Sequence, residues 1–298
     1  MQSILSKLGI LILVLISAKG NCQVNYIEYY NLINEGNKAY FEKNYKKSLA
    51  NYQEGFEKVE YVHSINYAKA ARSANKTKNY KLTSNYLYEA IKRGYPSKII
   101  ERKEFKTFRK KNEYKTLKFL LKEKDSNQIK EQYKRKIDSL HFIDQNILRG
   151  NKTVKGFELN LNLKYSDSLN FKCLLNLIEK NNFPSEKNLG FDGYRKSKVI
   201  IHHNARLIKN AYYHQILREY VYSGEFIPEH YCWIIDQYQE LKKEPLIYYH
   251  WDVAKNIKDL SENDKKRIDK RRNEIGMPSI NRIEISTRKG KQNVKLKW

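Results

Sequence analysis

The chain has 298 residues, 31% of them charged, with 58 Lys and Arg against 33 Asp and Glu for a formal net charge of +25. That length holds two compact units, and its three cysteines are too few for a disulfide framework. The charge invites a nucleic-acid reading, but the basic residues are interleaved with Glu and Asp on helical faces instead of gathered in one patch; no nucleic-acid partner is expected, and peripheral contact with an anionic polymer or membrane surface stays open.

Residues 1–22 divide into a basic start ending at Lys7, an apolar run from Leu8 to Ile16, and a small or polar stretch from Ser17 to Cys22. The apolar run is about half of the roughly 20 residues that a membrane span needs, so it reads as a cleaved export signal of a bacterial protein, periplasmic or secreted. Cleavage after Gly20 and after Cys22 are both open. Lipid anchoring at Cys22 is the alternative, although Asn21 and Lys19 stand where a small residue and Leu are expected. Cys173 and Cys232 read as separately buried small hydrophobes in preference to a pair. No CxxC or spaced Cys/His cluster marks a zinc site, and no cofactor is expected.

A segment then recurs. Gly36, Ala39, Lys43-Asn44-Tyr45, Tyr52 and Gly55-Phe56 are matched 35 residues later by Ala71, Ala74, Lys78-Asn79-Tyr80, Leu87 and Ala90-Ile91. Small residues at fixed places with bulky ones between, at a period in the mid-thirties, describe helix pairs that bury their apolar faces by stacking on one another. The pattern resembles the tetratricopeptide repeat. Residues 25–60 and 64–93 are the two pairs, and Gly94-Tyr95-Pro96 breaks the second. Phe105, Phe108, Tyr114, Leu117 and Leu120-Leu121 form a degenerate third unit that caps the stack.

The charged stretch from Lys122 to Lys136 opens a helix toward Arg149 and marks the boundary. Phe157, Leu159, Leu161, Leu163 and Tyr165 alternate with polar residues, the period of a strand or ribbon. Helices are expected from Asp167, acting as a cap, to Asn181, from Lys196 to Tyr222, and from Pro228 to Pro245, with a loop over Gly190 to Gly193. Ser261 and Asp264 form a capping box for a last helix closed by Gly276. The tail alternates around Ile285 and Val294, as a basic hairpin or a frayed end.

From about Asp144 to Ile280 the order of features resembles a bacterial family known as domain of unknown function 6624. The elements are Asp144-Gln145 near Arg149, Asp167-x-x-Asn170, Phe183-Pro184, His203-Asn204, Gly224-x-x-x-Pro228, Asp236, and Arg271-Arg272 before Gly276. The chain departs from the family pattern at Asp236-Gln237, where an arginine usually follows the aspartate, and at Leu246 to His250. The resemblance implies a mostly helical domain without a defined reaction.

The residues offer two kinds of site. His203, with Asp167 and Asp236 on neighbouring helices, are the candidate catalytic residues, as a general base or a metal-assisted hydrolase. Against metal chemistry, the HExxH spacing of a hydrolytic zinc helix is absent, and no metal site is assigned. The structural alternatives are a satisfied helical histidine, a helix cap at Asp167 and a buried ion pair of Asp236 with Arg206 or Arg218. If the first helix of each repeat lines the concave side, as the resemblance implies, Tyr30, Ile33, Asn37, Tyr40 and Phe41 face the groove from one unit, and Lys69, Arg72, Asn75 and Lys76 from the next. Such a groove suits a protein segment or an acidic peptide.

The expected protein is mainly α: an export signal over 1–22, a tetratricopeptide-like solenoid over 25–123, a helical domain with a small β ribbon over 124–280 and a basic tail or hairpin over 281–298. The expected function is a non-enzymatic cell-envelope interaction module working through Tyr30, Asn37, Tyr40, Lys69, Arg72 and Lys76.

Overall fold

The computed structural model describes residues 26–122, 130–147, 163–205, 211–250, 257–288 and 291–296. The chain is mainly helical. The export segment 1–22 lies outside the described residues, and among those described no helix is long and apolar enough to cross a membrane.

Four antiparallel helices, α1 (Tyr26–Phe41), α2 (Tyr45–Glu57), α3 (Ser64–Lys76) and α4 (Tyr80–Lys92), stack as two pairs in a solenoid-like arrangement. The recurring Lys-Asn-Tyr has a backbone explanation. Lys43 and Lys78 adopt left-handed φ of 61° and 59° and close the first helix of each pair. Asn44 N–H then reaches the Ala39 carbonyl at 2.8 Å and Asn79 N–H the Ala74 carbonyl at 2.9 Å, a helix-terminating bond that satisfies an otherwise orphaned acceptor. Each Asn side chain next caps the following helix, accepting from Lys47 N–H or Leu82 N–H. Small residues fill the seams: Ala71, Ala74 and Ala90 are fully buried, and a Cβ on Gly36 would sit 3.3 Å from the Tyr52 ring.

The capping unit departs from a helix pair. Three 3₁₀ turns, Ser97–Glu101, Lys103–Phe105 and Phe108–Lys110, take the place of its first helix, followed by α5 (Asn112–Lys122). Phe105 and Phe108 bury completely beside Leu87 and Leu117, so the apolar cover is kept while the helix is lost.

In the second half, α6 (Glu131–Phe142) runs into a π-helical turn, Ile143–Ile147. Next come α7 (Leu163–Asn181), α8 (Glu186–Ala205), α9 (Ala211–Tyr222), α10 (Pro228–Lys242) and α11 (Glu262–Asn273). Strands β1 (Ile283–Arg288) and β2 (Lys291–Leu296) pair antiparallel at the C-terminus, Ile285 opposite Val294.

Three expectations are corrected. The β ribbon over Phe157–Tyr165 is not supported: residues 157–162 lie outside the described residues, and Leu163 and Tyr165 belong to α7. Asp167 therefore lies inside α7 and is no helix cap. No Gly or Pro stands between Leu163 and Asp167, and each residue added to an existing helix gains a hydrogen bond for one fixed pair of dihedrals. Gly190 to Gly193 is a kink within α8 instead of a loop, with Gly190 at φ 67°, ψ 174° and helix on either side. The helix expected over Lys196–Tyr222 is described as the end of α8 and as α9, with 206–210 outside the described residues.

One core runs from the repeats into the second half, joining Tyr26, Tyr29 and Tyr30 of α1 to Phe183, Tyr194, Val221, Phe226 and Met277. Two glycines at φ +73° make this approach possible. A Cβ on Gly276 would fall 2.6 Å from Tyr30 Cβ, and one on Gly224 would strike the Tyr26 ring. Arg93 carbonyl to Phe191 N–H at 3.1 Å and Asn34 Nδ2 to the Gly276 carbonyl at 2.8 Å fasten the contact with backbone groups.

Candidate functional site

On α1 the residues Tyr30, Ile33, Asn34 and Asn37 fall at i, i+3, i+4 and i+7, one helical face; Asn66 and Lys69 continue it on α3. This face does not pack solidly against the second half. It encloses a cavity of about 240 Å³ together with Phe191, Tyr194, Arg195 and Lys198 of α8, the stretch from Ile227 to His230 at the start of α10, and Gly276 to Pro278.

At the cavity wall lie Glu186 and His63, each about 1% exposed. Glu186 opens α8, and its Oε1 accepts from Ser64 N–H, at the start of α3, at 2.6 Å and from the Tyr61 hydroxyl at 3.4 Å. The same carboxylate thus caps a repeat helix. Its Oε2 stands 3.9 Å from His63 Nδ1. His63 Nε2 faces the Tyr30 hydroxyl at 3.4 Å, and its backbone N–H donates to the Tyr29 hydroxyl. Burial pushes the Glu186 carboxyl up to about 7, against the pull of the Ser64 hydrogen bond. Burial also pushes the His63 imidazole down to about 4, with a smaller opposing effect from the Gly224 carbonyl.

A second polar set lies opposite. The Tyr194 hydroxyl accepts from Ile227 N–H at 3.1 Å and sits 2.9 Å from His230 Nδ1, while Lys198 Nζ approaches His230 Nε2 at 3.5 Å. Lysine only donates, so a neutral His230 keeps its proton on Nδ1, toward Tyr194. Burial holds the His230 imidazole well below its ordinary value, and Lys198 adds to this. Burial likewise lowers the Lys69 ammonium, with Glu229 opposing.

Three buried polar atoms on the cavity's lining residues have no hydrogen-bond partner among the described residues: Asn37 Nδ2, His63 Nδ1 and Glu186 Oε2. Buried polar groups are nearly always paired; all three atoms are themselves shut off from water, and the Ser64 side chain is a further hydrogen-bond partner of Glu186. Asn37 is held by its other atom, Oδ1, which accepts from the Tyr52 hydroxyl at 2.7 Å.

Of the expected groove residues, Tyr30, Asn37 and Lys69 line this cavity and Tyr40, Arg72 and Lys76 lie beyond it along the same two helices. The Arg72 guanidinium rests 4.8 Å over the Tyr40 ring and pairs with Glu104 at 3.0 Å. Lys76 is exposed and lies 5.6 Å over the Tyr45 ring.

Among the candidate catalytic residues, His203 and Asp236 each engage other partners. His203 Nδ1 meets both oxygens of buried Asp144, at 2.8 and 3.0 Å, on the π turn after α6. Asp236 instead accepts from the backbone N–H groups of Ile247, Tyr248 and His250 at 2.6 to 2.9 Å. Its charged neighbour is the fully buried Arg272 and not Arg218, while Arg206 lies outside the described residues. Arg272 donates to the Tyr248, Tyr249 and Pro278 carbonyls, so the two clamp one loop from its N–H and C=O sides. The side chain of Asp167 lies outside the described residues. Among the described residues no group of three His, Cys, Asp or Glu side chains is placed to hold a metal ion.

Sequence reasoning missed His63, Glu186, Tyr194 and His230. A histidine immediately before a predicted helix start, and a glutamate two residues after Pro184, were the only local signals, and both are common in helix caps. No protein-family model, curated protein or solved structure matches the chain.

Proposed function

We propose that the protein is an interaction module that holds a segment of another protein along the concave face of its repeats, with one end of that segment seated in the cavity. The observation that carries this reading is the cavity itself, which the expected groove residues Tyr30, Asn37 and Lys69 line together with α8 and the start of α10. A cavity of about 240 Å³ is smaller than the roughly 300–1,000 Å³ of pockets that enclose drug-sized ligands, so it fits the end of a chain. Beyond it, Tyr40, Arg72 and Lys76 offer aromatic and cationic contacts to an acidic stretch. On this reading the repeats are tetratricopeptide-like, the second half is a relative of domain of unknown function 6624 that closes the groove, and the mature chain works outside the cytoplasm.

The test is retention of the protein on an immobilised library of short acidic peptides, beside a Tyr40→Ala, Arg72→Glu variant of unchanged circular dichroism. Selective retention of the parent chain supports the reading. Equal retention that disappears at high salt supports non-specific binding of anionic polymer instead.

A second reading rests on His203 and Asp144. A carboxylate bound to one imidazole nitrogen fixes the tautomer and orients the ring, the arrangement of a general base. Hydrolase activity lost in His203→Ala, with peptide binding intact, would favour it.

A further inference from the structure

We infer that the outer face of α5, in the unit that caps the repeats, is a peripheral attachment surface for an anionic lipid bilayer, with Phe119 entering the interface and the lysines around it meeting phosphate headgroups. The inference does not rest on the peptide-binding reading.

Charge is spread unevenly along the chain. From Ser97 to Lys122 there are ten Lys or Arg against three Glu, and this unit closes the stack, so one side of it meets no further repeat. Helix α5 sorts its residues by side. Leu117 is fully buried in the core with Phe105 and Phe108, whereas Lys115, Lys118, Phe119 and Lys122 fall at i, i+3, i+4 and i+7 and are all exposed.

The positive field of this face is left uncompensated. Elsewhere lysines are matched: Lys58 with Glu28 at 2.7 Å, Lys196 with Asp138 at 2.8 Å, Lys265 with Glu262 at 2.7 Å. None of Lys115, Lys118 and Lys122 pairs with a carboxylate among the described residues. Of the three glutamates, Glu104 is turned to Arg72 at 3.0 Å, and Glu113 stands at neither i+3 nor i+4 spacing from these lysines. The turns before α5 add exposed Lys98, Lys103, Lys106 and Lys110.

Such a face attracts anions in general, and its side chains select among them. The exposed charge is almost all lysine, because Arg109 is bonded to the Ile100 and Arg102 carbonyls. Lysine is a hydrated point charge without the planar fork by which arginine grips one phosphate in two places, so it suits a fluid array of headgroups. Phe119 is 59% exposed and lies within about one turn of all three lysines. At a bilayer surface its ring sinks into the acyl boundary, while the lysine stems lie along the interface and raise their ammonium groups to the phosphates. A sulfated polysaccharide offers the charge without an apolar layer for the ring.

The experiment follows the mature chain from Gln23, which lacks the apolar run Leu8 to Ile16, on sedimenting vesicles of equal parts phosphatidylglycerol and phosphatidylcholine, beside phosphatidylcholine alone. At about 0.1 M salt, where charges are screened beyond about 10 Å, the anionic vesicles are expected to retain the chain and the neutral ones to release it. The triple variant Lys115→Glu, Lys118→Glu, Lys122→Glu should weaken retention about a hundredfold or more, and Phe119→Ala about tenfold. A control of equal net charge, Lys46→Glu, Lys47→Glu, Lys266→Glu, reverses exposed lysines on α2 and α11 and should weaken it less than about threefold. Every altered side chain is exposed, and unchanged circular dichroism verifies the fold. No retention on anionic vesicles overturns the inference. Equal losses in the two triple variants overturn it as well, assigning the attraction to the net charge of +25. Phe119→Ala bound as tightly as the parent chain overturns the lipid assignment and leaves a surface for soluble polyanions.

Discussion

Gly224 lies directly against the ring of Tyr26: a Cβ there would fall 2.1 Å from Tyr26 Cε1, and the glycine holds φ +73°. The docking of the second half on the first repeat helix therefore depends on a missing side chain. Gly224→Ala is expected to lower stability by about 2–4 kcal/mol, adding left-handed strain to overpacking. Urea unfolding gives the value, and a loss below about 0.5 kcal/mol would contradict this packing.

Glu186 gives the stability a pH signature. Held at about 7 against an ordinary 4.5, the carboxyl keeps its proton in the folded chain where the unfolded chain has lost it, so its contribution falls as pH rises from 4.5 to about 7. His63 and His250, held by burial at about 4 and about 3 against an ordinary 6.5, act oppositely. The unfolded chain binds protons there that the folded chain refuses, and their contributions rise with pH up to 6.5. Glu186→Gln removes only the falling part. Relative to the parent chain it should gain about 2 kcal/mol between about pH 5 and about pH 8. Parallel stability curves for the two proteins would show that Glu186 titrates normally.

Asp236 and Arg272 hold the loop from Ile247 to His250. Asp236→Ala leaves three backbone N–H groups and a buried guanidinium uncompensated and is expected to cost about 3–5 kcal/mol. Asp236→Asn, which keeps an acceptor, should cost less. Amide exchange at Ile247, Tyr248 and His250 reads the same effect locally, and protection that survives Asp236→Ala would contradict the clamp.

Cys173 is exposed and Cys232 buried, both as free thiols, with burial pushing the Cys232 thiol well up. Under native conditions a maleimide should label Cys173 and spare Cys232, which reacts only after unfolding. Peptide mass mapping that found the two joined would refute this arrangement.

The repeats were legible because their signals are local. Lys43-Asn44 and Lys78-Asn79 write a helix end and the next cap into adjacent residues, and Ala71 and Ala74 declare a close seam; Ser261 and Asp264 behave likewise, with Asp264 N–H at 3.1 Å from Ser261 Oγ. The start of α7 was misread where two periods compete: Leu159 to Tyr165 alternates like a strand, yet nothing after Leu163 stops a helix.

Half of the candidate site was legible for the same reason, since Tyr30, Asn37 and Lys69 are placed by helical spacing. Glu186 was not. Its role comes from meeting Ser64, 122 residues away, and from docking that turns on Gly224 and Gly276, whose contacts with α1 nothing in the local sequence announces. The pairing of His203 with Asp144 is similarly a matter of how α6 and α8 pack.

The central claim is that the groove face and cavity are the working surface. Its most direct measurement is to titrate an acidic peptide retained from the library into isotope-labelled protein and follow the side-chain amides of Asn34, Asn37 and Asn66 by NMR. The account predicts saturable shifts at these amides. Saturable binding that leaves all three in place while resonances of the α6–α8 region around His203 move would contradict it.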